Sequence, residues 1–302
     1  ALTAYRICAK AEGKSARTID WVTDSVRYFA AFAGDIPPEK LTASHLRQFI
    51  IALQQKRAFS SHPYTKAQDR ALSPETVASY VRAIKSFFSS LQHEELITDN
   101  PMAKVKLPKV PRRVMPTFDE RDLKKLMEQP DKKTDEGFRD YAIMATLIDT
   151  GIRVSELCQL SISDVDLDSS CLRVMGKGRK ERLVPIGYRL TKVLLKYKVA
   201  HRPGSGSGSF FLTRDGRPMS KKRVEVIIKK RGTKAGIKAR CSPHTFRSTS
   251  AVLYLRNGGD PFSLQKKLGH STLVMTRRYS ELADADVKAR HLKASPFDRL
   301  NL

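Results

Sequence analysis

No stretch of this chain stays apolar for long enough to span a bilayer, and no secretory leader pattern opens it. A membrane-spanning helix is thereby excluded, and a soluble, unexported protein is expected. Cysteine is scarce. Cys8, Cys158, Cys171 and Cys241 lie far apart and make no C-x-x-C pair, so neither a zinc nor a disulfide framework fits, and reduced thiols in a cytoplasmic setting are expected. The G-x-x-x-x-G-K-[ST] phosphate loop is missing, which removes the usual nucleotide site. Asp and Glu form no cluster in metal-binding order, which argues against a two-metal nuclease or transposase. Without a zinc finger or other sequence-reading signature, a DNA target is not legible. Acidic residues are themselves in deficit, 31 against 56 Lys and Arg.

That deficit leads into what is present. A formal net charge of +25 on 302 residues implies a polyanionic partner. An anionic membrane would call for a basic amphipathic helix exposing large apolar side chains. Here the basic residues are spread through segments that read as folded, so nucleic acid is the expected partner and a membrane is not. With 40% hydrophobic residues, the length accommodates one large or two ordinary domains. The first residue is Ala, which leaves open a segment preceding it in the natural protein.

Three helices are predicted in the first third. Ser15 caps one whose apolar face is Ile19, Val22, Val26, Phe29, Ala30 and Ala33, with Gly34 ending it. Thr42 caps the next, with Leu46, Phe49, Ile50 and Leu53 at helical spacing. Ser73 and Pro74 open the third, which carries Val77, Tyr80, Val81, Ile84, Phe87, Phe88 and Leu91. A short turn is expected from about Asn100. The polar faces of this small helical bundle hold Arg17, Arg27, Arg47, Lys66, Arg70, Arg82 and Lys85. Each alone reads as a solvated residue. Together, in so basic a chain, they read as a phosphate-gripping set.

KVKLPKVPRRVMP, from Lys104 to Pro116, mixes basic residues with prolines and lacks periodicity, so it reads as a linker. The expected division is residues 1–107, a linker at 108–116, and 117–302. Thr117 and Glu120 have capping-box spacing for a helix containing Leu123 and Leu126. A helix with Tyr141, Ile143, Ala145, Thr146 and Leu147 runs to Gly151. Arg153 sits at the turn that follows, with Glu156 three residues on; an arginine there is read equally well as solvated or functional. Cys171 to Ile186, CLRVMGKGRKERLVPI, reads as two short strands around a basic, Gly-rich turn in which Lys177 stands between two glycines. HRPGSGSGSF is a flexible loop by composition, and a basic helix with Val224, Val226, Ile227 and Ile228 comes after it. His244 and Arg247 share a helix face. Asp260 and Pro261 start a helix ended by Gly269, and Ser271 or Thr272 starts the one that carries Tyr279.

In chain order the polar candidates are Arg153, Lys177, His244, Arg247, His270 and Tyr279. The motifs TGIRVSEL, GKGRKERLVP, HTFR and LGHSTLVMTRRYSEL hold them in an order and spacing that resemble the tyrosine recombinase (integrase) family, above all its Xer-like members. The resemblance covers the chain from about Thr117 onward, and more loosely the N-terminal bundle, which is similar to the family's core-binding domain.

What the resemblance implies is specific. The fold is mainly α: a helical-bundle core-binding domain, then an α-rich catalytic domain with a small antiparallel β-sheet. Tyr279 attacks a DNA phosphate, forming a 3′-phosphotyrosyl link and releasing a 5′-hydroxyl. Arg153 and Arg247 hold the non-bridging oxygens, Lys177 protonates the leaving oxygen, and His244 and His270 assist proton transfer and phosphate contact. Glu156 supports them. Double-stranded DNA is met by Arg47, Arg82, Lys85, Arg179, Lys180 and Arg182, whereas Arg277 and Arg278 beside the tyrosine are backbone or structural contacts. Neither cofactor, metal nor ATP is implied, because the covalent link conserves the bond energy.

The function implied is site-specific recombination for integration, excision or resolution of DNA, in a cytoplasmic, nucleoid-associated setting. The assembly implied is a homo-tetramer in the synaptic complex, with room for a partner recombinase or accessory factor. Phe297, Leu300 and Leu302 give the C-terminal tail an apolar contact for a neighbouring subunit or for its own domain. Two departures stand out. Ser248 occupies a position that is often His in the family, and the chain lacks the arm-binding domain of longer phage integrases, as in a simple two-domain recombinase or one from which that domain was removed. The alternatives are a type IB topoisomerase, disfavoured by the Xer-like motifs and the tail, and a non-catalytic DNA-binding regulator, which would not need Tyr279 with both arginines and Lys177.

Overall fold

The computed structural model describes residues 1–57, 69–111, 115–176, 180–283, 291, 295 and 297–299. The chain divides into two compact units, Ala1–Arg113 and Val114–Leu302.

The first unit holds α1 (Leu2–Ala11), α2 (Ala16–Ala33), α3 (Ala43–Gln55) and α4 (Pro74–His93). The predicted caps of α2 and α4 are in place. Ser15 Oγ accepts the Thr18 N–H, and Ser73 Oγ accepts that of Thr76, both at 3.2 Å. Gly34 ends α2 in the left-handed region at φ 83°. Phe29, Phe49, Val81, Ile84, Phe87 and Phe88 form the centre of the core, each such side chain contributing about 1.5–3 kcal/mol by leaving water. The sequence reading missed α1. Ala1 offers no side-chain cap, and only Tyr5 and Ala9 are buried, a stripe too thin to read as amphipathic. Tertiary contact supplies what the pattern lacks: the Tyr5 ring packs edge-on against Phe87, centroids 5.6 Å apart.

The second unit runs α5 (Glu120–Glu128), α6 (Asp135–Thr150), α7 (Val154–Gln159), β1 (Val165–Asp166), β2 (Cys171–Met175), β3 (Glu181–Pro185), α8 (Tyr188–Lys196), α9 (Lys221–Lys234), α10 (Pro243–Arg256), α11 (Pro261–Leu268) and α12 (Leu273–Ala283). It is mainly helical with one small antiparallel sheet in the order β1-β2-β3. The predicted hairpin is β2–β3, with Leu172 opposite Val184 and Val174 opposite Arg182. β1 was not foreseen, since its two residues are too few to show alternation. Leu172, Val174 and Val184 face the core, and Arg182, two residues before Val184 on a strand, points to that same face.

Some local expectations change. Asp119 rather than Thr117 caps α5, its Oδ1 accepting the Asp122 N–H at 2.6 Å. The residues before it are extended and tied to α10, where Thr249 Oγ1 accepts the Phe118 N–H. Val226 is exposed, and α9 turns Val224, Ile227 and Ile228 inward instead. The Gly/Ser loop after α8 is irregular, but Arg202 holds the carbonyls of Ser207, Ser209 and Phe210. Phe297 is exposed; Leu300 and Leu302 lie outside the described residues. No helix among the described residues is long and apolar enough to cross a membrane.

Gly151 ends α6 at φ 65°, and a Cβ there would stand 2.8 Å from Leu268 Cδ2 and 3.0 Å from Ser250 Oγ. Two demands for glycine therefore coincide, a left-handed backbone and a close approach to α10 and α11. Gly236, at φ 67°, has nothing within 4 Å. Gly151→Ala is expected to destabilise the chain by roughly 2–4 kcal/mol, against about 1–2 kcal/mol for Gly236→Ala. Urea unfolding measures both, and equal losses would refute the steric part of this account.

Candidate active site

The left-handed turn at Gly151 swings the chain from α6 into α7, with Arg153 at the N-cap of the new helix. Glu156, at the third helical position, reaches back: Oε2 accepts the Arg153 backbone N–H at 2.8 Å, and Oε1 accepts Arg153 Nη1 at 2.8 Å. The three-residue spacing thus supplies the reciprocal half of a capping box, the N3 carboxylate on the N-cap N–H, and also orients a guanidinium. Arg153 remains 38% exposed at its side chain while Glu156 is 4% exposed. Burial by itself raises the Glu156 pKa. Hydrogen bonds from Arg182 and Arg153 outweigh that and hold the carboxyl below its ordinary range.

Arg247 comes from α10 and is buried. Its Nη1 donates to Gly151 O at 2.7 Å, and its Nη2 to Leu268 O at 2.9 Å and to His270 Nε2 at 3.0 Å. Burial, followed by the nearby Arg153, lowers its pKa to about 10, so it stays cationic at neutral pH. A guanidinium has no acceptor, so His270 Nε2 must present a lone pair and Nδ1 must carry the hydrogen. That hydrogen goes to Thr276 Oγ1, 3.0 Å away. Burial first, then Arg247, Arg153 and Arg182, depresses His270 to a pKa of about 4. It is therefore a neutral, oriented imidazole rather than a reservoir of protons.

Tyr279 lies on α12, its ring stacked on His270 at 6.0 Å between centroids and 14° between planes. Ala251, Val252, Leu255, Leu264 and Leu268 enclose it. His244, one turn before Arg247, is exposed. Partial desolvation, with Arg247 and Arg240 behind it, disfavours its charged form. Arg153, Glu156, Arg247, His270 and Tyr279 therefore share one pocket, with His244 at its edge.

Other expected residues are placed differently. Lys177 and Arg179 lie outside the described residues; of the residues flanking them, the Gly176 N–H donates to Lys180 O at 2.8 Å. Lys180, Arg47 and Arg82 are exposed, as are Arg277 and Arg278. Lys85 gives its ammonium to Val105 O at 2.6 Å and Ala103 O at 3.4 Å, a structural bond. Arg182 was expected against DNA. In the fold its Nε donates to Lys267 O, and its Nη1 and Nη2 donate to the Glu156 carboxylate. The sequence reading also passed over Thr276, which reads as an ordinary helical threonine, and Lys267, whose Nζ donates to Asp149 O at 2.8 Å. Ser248 is buried, and among the described residues its Oγ has no hydrogen-bond partner. Among the described residues no group of three or more His, Cys, Asp or Glu could hold a metal ion.

The depressed pKa of His270 has a definite sign. Above about pH 6.5 the imidazole is neutral in both folded and unfolded chains. Between that value and about 4, the unfolded chain takes up a proton that the folded one refuses, so stability falls as pH falls. The loss approaches roughly 3 kcal/mol. Glu156 acts in the same direction at lower pH, its contribution disappearing as pH drops through its depressed folded pKa. His270→Gln is expected to flatten the stability profile between pH 6.5 and 4 in urea unfolding at stepped pH. A variant with the slope of the intact chain would refute the buried neutral imidazole.

With this geometry established, known proteins can be compared. The phage integrase family model matches residues 116–286. The tyrosine recombinase XerD of Listeria monocytogenes is 31% identical over 282 residues, covering 91% of this chain and 91% of that protein. The tyrosine recombinase XerC of Bacillus pumilus is 34% identical over 239 residues, covering 77% and 78%. In fold, the chain is similar to the XerH site-specific recombinase crystallised on a palindromic difH substrate in a post-cleavage complex. That match has a TM-score of 0.72 at 18% identity and covers 99% of this chain and 85% of the other. A helical unit with one small sheet, the ordered motifs and relatives matched along nearly their whole length lead to one conclusion: the chain belongs to the phage integrase family and is a tyrosine recombinase.

Proposed function

We propose that the chain cleaves and rejoins double-stranded DNA at specific sites, with Tyr279 as the nucleophile and a 3′-phosphotyrosyl intermediate. The observation that carries this reading is the convergence of Arg153, Arg247 and neutral His270 beside the Tyr279 ring. A phosphodiester is anionic and repels nucleophiles, and its transition state gathers further charge on the non-bridging oxygens. Two guanidiniums at fixed positions meet that charge. The Tyr279 oxygen bonds to phosphorus as the bond to the 5′-oxygen breaks. Lys177 gives that oxygen its proton, and His244, exposed and with its charged form disfavoured, takes the tyrosine's. Rejoining reverses these steps, and the bond energy is kept throughout.

In this reading residues 1–107 form the core-binding domain, gripping the DNA backbone through Arg47 and Arg82, and 117–302 form the catalytic domain beyond a linker at 108–116. The net charge of +25 supports that contact, as does the DNA complex of the XerH neighbour. Synapsis of two sites by a homo-tetramer, open to a partner recombinase or accessory factor, completes the proposal. The reaction takes place in the cytoplasm, at the nucleoid.

A nicked duplex carrying the chain's recombination site traps the covalent stage. The intact chain is expected to give an SDS-resistant adduct and Tyr279→Phe none, while Arg247→Gln forms adduct on the order of 100- to 1,000-fold more slowly. An adduct persisting in Tyr279→Phe would remove the tyrosine from this role. Relaxation of supercoils without recombinant product would indicate a topoisomerase instead.

A further inference from the structure

Arg182 leaves the hairpin on the inward face of β3 and is only 13% exposed at its side chain. Its Nη1 and Nη2 donate to Glu156 Oε1 and Oε2 at 3.1 and 2.8 Å, a two-pronged pairing across 26 residues of chain. Its Nε donates to Lys267 O at 2.9 Å, at the end of α11. The flat of the guanidinium lies against Gly269, where a Cβ would be 3.0–3.2 Å from Nη1, Cζ and Nε. One side chain therefore touches the helix start that orients Arg153 and the turn that delivers His270 and, beyond it, Tyr279.

Glu156 is saturated only because of it. Arg153 supplies one donor to each carboxylate oxygen, and Arg182 supplies the second to each. A buried carboxylate left with half its donors is costly and free to turn. Arg153 would follow it, because Oε1 holds Nη1 in place. The charge of Arg182 is already met by a carboxylate, whereas Arg247 donates only to two carbonyls and a neutral imidazole and keeps its charge for a phosphate.

From this we propose that Arg182 is a positioning residue: acting through Glu156 and the Gly269 turn, it holds Arg153 and His270 in register for strand cleavage and does not itself contact DNA. The proposal rests on the tyrosine recombinase reading above. It adds that the β2–β3 hairpin, which carries Lys177 in sequence, is mechanically tied to the arginine–histidine pocket through Arg182.

The test uses the full chain and a nicked duplex bearing the site that the intact protein selects from a random-sequence duplex library. Arg182→Gln is expected to slow single-turnover adduct formation about 10- to 100-fold while leaving the Kd for the uncleaved duplex within about twofold. Arg182→Lys, which keeps the charge and some donors, should recover part of the rate and serves as the folded comparison if the glutamine variant unfolds. Glu156→Gln combined with Arg182→Gln should be no slower than the worse single variant, since both act on one linkage. A full cleavage rate in folded Arg182→Lys together with a full rate in Arg182→Gln would overturn the proposal, as would a weakened Kd with unchanged rate, or losses that multiply in the double variant. Should Arg182→Gln not fold, a full rate in Arg182→Lys overturns it alone. Failure of the underlying reading looks different: the intact chain would then form no Tyr279-dependent adduct at all.

Discussion

A carboxylate taken out of water survives only when donors surround it, and Glu156 is the carboxylate on which this active site depends. Its four hydrogen bonds come from Arg153, twice, and Arg182, twice. The same bonds set the direction of the Arg153 guanidinium, attach the β3 strand to the N-terminus of α7 and keep two cations besides Arg247 close enough to act on His270. Charge balance in a buried place thus becomes geometry in an exposed one. Arg153 stays partly open to solvent while the carboxylate behind it is fully satisfied.

A second constraint, steric rather than electrostatic, acts beside it. Gly151 lets α6 stop against Leu268 and Ser250 with no side chain between, and its carbonyl then accepts Arg247 Nη1. Arg247 in turn fixes the tautomer of His270, and His270 bears the Tyr279 ring on its face. Each link uses groups that would be expensive to bury alone and inexpensive once paired. Of the functional groups described, those deepest in the fold, Arg247 and His270, are the ones whose protonation is shifted furthest. Arg47, Arg82 and Lys180 instead stay exposed, where a charge acts at long range and requires no fixed partner.

Much of the fold was readable because its signals are local. Ser15, Ser73 and Asp260 cap their helices through bonds within three residues, and Gly34, Gly151 and Gly269 end theirs in the one conformation that favours glycine. The motif order from Arg153 to Tyr279 pointed to the family because the spacing between these residues is a property of the chain. Where local signals were thin or misleading, the reading failed. α1 has too few buried positions, β1 is too short, and Thr117 has a capping residue's identity while its neighbourhood is tied to α10.

The sequence alone determined most of the helices, though not α1 or α8, together with the hairpin, the excess of positive charge and the identities of the residues that converge, because periodicity, capping and net charge are carried by near neighbours or by simple sums. It grouped Arg182 and Lys85 with the DNA contacts, because in sequence they look like their basic neighbours, and it could not see their intramolecular partners. Tertiary structure turned Arg182 onto Glu156, closed Lys85 on the carbonyls of Ala103 and Val105, and buried His270 against Arg247 so that its charged form is disfavoured. The physical reason is the same in each case. What a charged side chain does depends on which acceptors lie within about 3 Å and on how much water is left around it, and both are settled by residues tens to hundreds of positions away.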